Sequence, residues 1–108
     1  MISRDRIVQT FLELTAIDSP SGDEDAIAAE LERRFAALGL EVSQDEAGNV
    51  LGRRDGEGEA VLLSAHMDTV EPGRGIKPVW DGPDIIRSDG TTILGADNKA
   101  GCAVILEV

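Results

Sequence analysis

Hydrophobic positions near the start of the chain recur at helical spacing. Further on they fall into short runs of strand length. Ile7, Phe11 and Leu14 share one stripe, with Val8 and Leu12 beside it, which predicts a first helix from a cap at Ser3 to about Ile17. Asp18-Ser19-Pro20 ends that helix, because the residue before a proline resists helical geometry. Ser21-Gly22-Asp23-Glu24 has the spacing of a capping box, a serine cap followed three positions on by a glutamate. It predicts a second helix that buries Ile27, Leu31, Phe35 and Leu38 and closes at Gly39, the expected left-handed stop. The Asp23-Glu24-Asp25 cluster suits the positive end of this helix, which makes it structural rather than catalytic.

The pattern then changes to short alternating runs. Leu40–Gln44 and Asn49–Arg53 flank the turn Asp45-Glu46-Ala47-Gly48 and predict a hairpin. Asp55-Gly56-Glu57-Gly58-Glu59 reads as an exposed polar loop. Val61-Leu62-Leu63-Ser64-Ala65 is a continuous apolar run, the signature of a strand covered on both faces. Glu71-Pro72-Gly73-Arg74-Gly75 is expected to be loop. Ile76–Trp80 and Ile85–Arg87 are weaker strand candidates around Asp81-Gly82-Pro83, and Ser88-Asp89-Gly90 is a tight turn before Thr91-Thr92-Ile93-Leu94.

The final segment, Lys99–Val108, reads as a helix that is apolar almost all round, through Ala100, Cys102, Ala103, Val104, Ile105 and Leu106. Such a helix belongs in an interior. No glycine, asparagine or proline closes it, and its last turn carries no basic residue. The expectation is that the chain stops inside a core, so that residues 1–108 form a truncated part of one catalytic domain with no complete second domain. Two helices, then strands, then a helix predict an α/β domain, a mixed sheet covered by helices.

Composition narrows this picture. At 42% apolar residues the 108-residue chain can build a core. The only aromatics are Phe11, Phe35 and Trp80, so that core must be made from Leu, Ile, Val and Ala. A net charge of −11 repels phosphate backbones and argues against nucleic acid as a partner. Cys102 is alone, so no internal disulfide can form. The charged opening Met-Ile-Ser-Arg-Asp-Arg is unlike a signal peptide, and no apolar run is long enough to span a membrane. A soluble cytoplasmic protein with no membrane partner is expected.

Two segments carry candidate chemistry: Ala65-His66-Met67-Asp68-Thr69-Val70 and Gly95-Ala96-Asp97-Asn98-Lys99-Ala100-Gly101. In an extended backbone, positions two apart face the same way, so His66 and Asp68, at the carboxyl end of the apolar run, can project together. Ligands of open α/β sheets collect at such ends. A histidine ligand needs its second ring nitrogen held by a carboxylate or carbonyl, and His-x-Asp can supply both from three residues. The small neighbours of Asp97 let backbone approach a site closely, and one carboxylate can bridge two metal ions roughly 3.5–4 Å apart. Plainer readings also fit the spacing. A lone histidine beside a strand is commonly a hydrogen-bonded residue, Asp68 can cap the turn before Thr69, and Asp97 can cap the helix near Lys99.

Both segments, with Ser88-Asp89-Gly90-Thr91-Thr92-Ile93-Leu94 leading into the second, resemble the peptidase T branch of the zinc aminopeptidase, aminoacylase and carboxypeptidase family. Ser19-Pro20-Ser21-Gly22-Asp23-Glu24 and Asp45-Glu46-Ala47-Gly48-Asn49-Val50 are similar to that family's amino-terminal part, so the likeness covers nearly the whole chain. Deacylases of the family usually carry Asp-Met-Lys-Gly where this chain has Asp97-Asn98-Lys99-Ala100, which favours the peptidase branch. The family pattern often has a second aspartate where Asn98 stands. The resemblance implies a site with two zinc ions. In it His66 is a terminal ligand of one zinc, Asp97 bridges both, and Asp68 is a catalytic-site carboxylate that orients His66. It also implies that the paired glutamates, one of them the general base, and a distal histidine come later in the family's chains.

The expected function is therefore the amino-terminal fragment of a zinc-dependent exopeptidase acting on short peptides, tripeptidase-like and inactive alone. Two alternatives stay open. One is a non-catalytic truncated module that self-associates through its exposed final helix; the other is a deacylase of the same family.

Overall fold

A computed structural model describes residues 1–108, which form three helices and two small antiparallel sheets. Helix α1 spans Arg4–Thr15 and α2 spans Asp25–Ala37. Strands β1 (Glu41–Gln44) and β2 (Val50–Arg53) form the first hairpin, and β3 (Pro78–Trp80) and β4 (Ile86–Ser88) the second. Helix α3 spans Ala96–Glu107.

Local chemistry explains most of these boundaries. Ser3 caps α1, its Oγ accepting from the Arg6 backbone N–H at 3.3 Å. At the end of α2, Gly39 takes φ 81° and donates to the Ala36 carbonyl, while the Leu40 N–H reaches the Phe35 carbonyl at 3.1 Å. These two bonds make the left-handed stop that the glycine predicts. In the first hairpin, Gln44 pairs with Val50. Asp45 holds the turn, its carboxylate accepting from the backbone of Ala47 and Asn49 and from the Asn49 side chain. In the second hairpin Trp80 pairs with Ile86 across a turn containing Gly82.

Several sequence expectations differ from the structure. Leu38, expected on the buried face of α2, lies at its end and is 47% exposed. Helix α2 starts at Asp25, and Ser21 does not cap it. Glu24 instead folds back to accept from the Gly22 N–H at 2.7 Å, and the serine hydroxyl is used elsewhere. Val61–Ala65 forms no strand, with Val61 83% and Leu62 87% exposed. An apolar run becomes a strand only beside a hydrogen-bonding partner, and no extended segment of this chain lies alongside it. Helix α3 buries one side rather than its whole girth: Cys102 and Ala103 are buried while Val104 is exposed.

The core is a cluster of Phe11, Leu14, Ile27, Leu31, Cys102 and Ala103, drawn from all three helices. Helix α1 packs on α3, and α2 packs on the first hairpin. The α1–α2 connection is sewn to the segment after the apolar run. Pro20 forms a parallel bridge with Thr69, Thr69 N–H donates to Ser19 O at 2.8 Å, and Ser21 N–H donates to Thr69 O at 3.0 Å. Ser19, fully buried, adds a bond from its hydroxyl to Met67 O at 2.9 Å. These contacts set the position of residues 66–69.

Candidate functional site

His66 and Asp68 project to the same side, as their spacing predicts. The backbone that carries them is anchored at Met67 and Thr69 by the bonds just described. It is anchored again at His66, whose carbonyl accepts a 3.5 Å contact from the Cys102 thiol of α3. Asp97 comes from the start of α3, where Gly95 takes φ 83° and Asp97 and Asn98 depart from helical dihedrals. The regular helix begins after them. Its cap is Asn98, whose Oδ1 accepts from the Gly101 N–H at 3.0 Å. Asp97 is therefore free of capping duty, and its side chain is 95% exposed. Asp68 does not cap a turn either; its carboxylate is occupied by side chains.

The structure brings the three residues together. His66 Nδ1 lies 3.0 Å from Asp68 Oδ1 and 3.1 Å from the Asp68 carbonyl, and His66 Nε2 lies 2.9 Å from Asp97 Oδ1. Both groups facing Nδ1 are acceptors, so Nδ1 carries a proton. A neutral ring then presents the lone pair of Nε2 to the Asp97 carboxylate, and two acceptors at that separation repel. A proton held between the two groups, or a cation between Nε2 and Asp97, relieves this. The pKa of His66 is accordingly raised, chiefly by the hydrogen bond to Asp97, which with a lesser contribution from Asp68 outweighs desolvation. Asp68 is held below its ordinary value, first by a hydrogen bond from Ser21 Oγ and then by His66.

The sequence reading assigned Ser21 to helix capping and so missed its contact with the site. Its spacing to Glu24 matched a cap equally well, and nothing in the sequence alone pairs residue 21 with residue 68. Lys99 was also missed. It is fully buried behind the site, its Nζ donating to Ile17 O at 2.5 Å, and burial lowers its pKa while Asp18 opposes the shift.

The triad sits on the divide between two open clefts. One, of about 340 Å³, has an apolar wall that includes Val70, Ile93 and Leu94 and is bordered by His66, Asp68 and Asp97. The other, of about 380 Å³, is polar and runs from His66 and Asp68 past Glu24, Asp25, Gln44 and Asn49. Nowhere do three or more His, Cys, Asp or Glu side chains converge as a complete metal cage. The donor set here is one imidazole nitrogen and one carboxylate. Both suit zinc, and a catalytic zinc commonly has three protein ligands.

No family model matches the chain. It is similar to a tripeptidase from Staphylococcus aureus, with 44% identity and a TM-score of 0.92, covering 99% of this chain and 31% of that one. It is similar to aminopeptidase PepT from Bacillus cereus, with 40% identity and a TM-score of 0.89, covering 98% of this chain and 31% of that one. A Pyrococcus furiosus protein described as a [LysW]-lysine/[LysW]-ornithine hydrolase is 40% identical over 68% of this chain and 22% of its own length.

Proposed function

The chain matches part of the peptidase T-like hydrolases over nearly its whole length, spanning 31% of the tripeptidase and of PepT, and from that premise we propose that it carries the His–Asp half of a zinc-dependent site that hydrolyses short peptides. The observation that carries this reading is the approach of His66 Nε2 to Asp97 Oδ1 at 2.9 Å while Nδ1 is committed to Asp68. Two electron-pair donors converge on one point with the far side of the ring already held, which is how a metal-binding histidine is normally supported.

In this reading His66 Nε2 and the Asp97 carboxylate hold zinc, with Asp97 able to serve a second ion. When bound, zinc supplies Lewis acidity to a scissile carbonyl and lowers the pKa of water. Asp68 keeps the Nδ1 proton in place, so the lone pair of His66 stays on Nε2. The apolar wall of Val70, Ile93 and Leu94 offers a place for a substrate side chain beside these groups. With only two donors on one ion, this chain binds zinc weakly and does not turn over peptides alone. The localisation that goes with this reading is cytoplasmic; no helix is long and apolar enough to cross a membrane.

The test is calorimetric titration with zinc or cobalt, alongside assays of dipeptide and tripeptide cleavage. Weak binding that disappears in both His66→Ala and Asp97→Ala is expected. Because the ring must lose its Nε2 proton first, binding should strengthen as pH rises through the raised His66 pKa. Binding indifferent to both substitutions would refute the metal reading, and clear tripeptide turnover by the purified chain would refute the claim of inactivity. A second reading, amide hydrolysis of the deacylase type, is favoured by the likeness to the [LysW]-lysine/[LysW]-ornithine hydrolase. Acetylated amino acids in the same assay separate the two.

A further inference from the structure

We propose that Ser21 is a positioning residue for this site, acting through Asp68: its hydroxyl fixes the carboxylate that in turn fixes the His66 ring. The inference rests on the reading of His66 and Asp97 as metal-holding residues, and it concerns a loop outside that donor pair. An aspartate carboxylate rotates in a broad two-fold well, so one contact leaves it free to turn. Asp68 has two contacts on its two oxygens: Oδ1 faces His66 Nδ1 at 3.0 Å, and Oδ2 accepts from Ser21 Oγ. An ionised carboxylate only accepts, so the serine must donate, and the bond is charge-assisted.

Ser21 is itself held where this bond requires. Its backbone N–H bonds to Thr69 O at 3.0 Å, Ser19 O takes the Thr69 N–H at 2.8 Å, and Ser19 Oγ bonds to Met67 O at 2.9 Å. The backbone on both sides of Asp68 is thus tied to the segment that carries the serine. The hydroxyl is not spent on α2, which starts at Asp25 without a side-chain cap. The chain runs Ser21 to Asp68 to His66 to Asp97, and each link has a named pair of atoms.

Two variants of equal shape separate the hydroxyl from the side-chain volume. Ser21→Thr keeps the hydroxyl and Ser21→Val lacks it, with Ser21→Ala in place of the valine should that variant fail to fold. Zinc affinity is read by calorimetry. The tautomer of His66 is read from long-range 1H–15N correlations of the metal-free chain at alkaline pH, where the ring is neutral. The threonine variant should match the unsubstituted chain. The variant without the hydroxyl should bind zinc about 10-fold more weakly, the lower end of outer-shell effects at metal sites. It should also show mixed His66 tautomers where the other two show the Nδ1–H form alone. Equal affinity with and without the hydroxyl overturns the proposal. So does a loss shared by the threonine variant, or a loss with an unchanged ring signature, since each points to damage of the loop. Should the unsubstituted chain bind no zinc, the metal reading fails separately, and the ring signature alone decides the role of Ser21.

Discussion

Individual residues divide into those whose duty is local and those whose duty is set by a distant neighbour. Glu30 is of the first kind. It meets Arg33 at 2.5 Å and Arg34 at 2.6 Å along one helix face, and Arg34 reaches on to Glu13 of α1 at 3.2 Å. The hydrogen bond from Arg33, helped by Arg34, lowers its pKa from 4.5 to about 2. A carboxylate depressed in the folded state adds stability that is present above its unfolded pKa and lost as pH falls toward its folded one. Glu30→Gln should therefore cost about 1 kcal/mol near neutral pH, the upper end for exposed pairs. The difference from the unsubstituted chain should shrink between pH 4.5 and about 2. Urea melts of both chains across that range check it; a constant difference would contradict the assignment. Ser21, Asp68 and Asp97 are of the second kind. Each is acceptable as a cap in sequence, and each has its partner elsewhere in the fold.

Elements were legible where their signals are self-contained. The caps of α1, the glycine stop of α2 and the Asp45 turn depend on residues within five positions of one another, so sequence spacing and geometry coincide. The Gly39 stop carries a direct prediction. A Cβ there meets nothing within 4 Å, yet φ is 81°, so Gly39→Ala tests backbone conformation without steric clash. A loss of about 1 kcal/mol is expected by thermal or chemical denaturation, and an unchanged midpoint would show that the stop is dispensable. The Val61–Ala65 run failed as a strand because pairing is not a local property. Its composition is that of a buried strand, while its pairing depends on what lies beside it.

At the scale of the whole molecule, the core is small for the chain. Only 15 of 108 residues are buried. The radius of gyration is 14.4 Å, where a compact domain of this length has about 13 Å. Val61, Leu62 and Leu63 stand exposed in one stretch, and Val104 is exposed on α3. Contiguous apolar surface of this kind drives association in water. Sedimentation velocity should show weight-average mass rising with concentration, and Leu62→Lys should reduce the effect. A concentration-independent monomer would contradict it. The chain spans 31% of the tripeptidase it resembles. The two metal-holding candidates and their support lie inside that span, because His66, Asp68 and Asp97 are drawn together by contacts among α1, α3 and the segment between them.

By itself the sequence determined the three helices, both hairpins, the α/β class and the likeness to peptidase T, since periodicity, turn residues and contiguous motifs are properties of neighbouring residues. It also marked His66, Asp68 and Asp97 as candidates, with a plainer reading beside each. Tertiary structure alone set the partners of these three side chains. Asn98 takes the capping role and frees Asp97, Asp68 turns its carboxylate to His66 and Ser21, and the two ring nitrogens of His66 face acceptors 31 and two residues away. Partners as far apart in sequence as His66 and Asp97, or Ser21 and Asp68, are chosen by how the backbone packs, and no spacing rule encodes that choice.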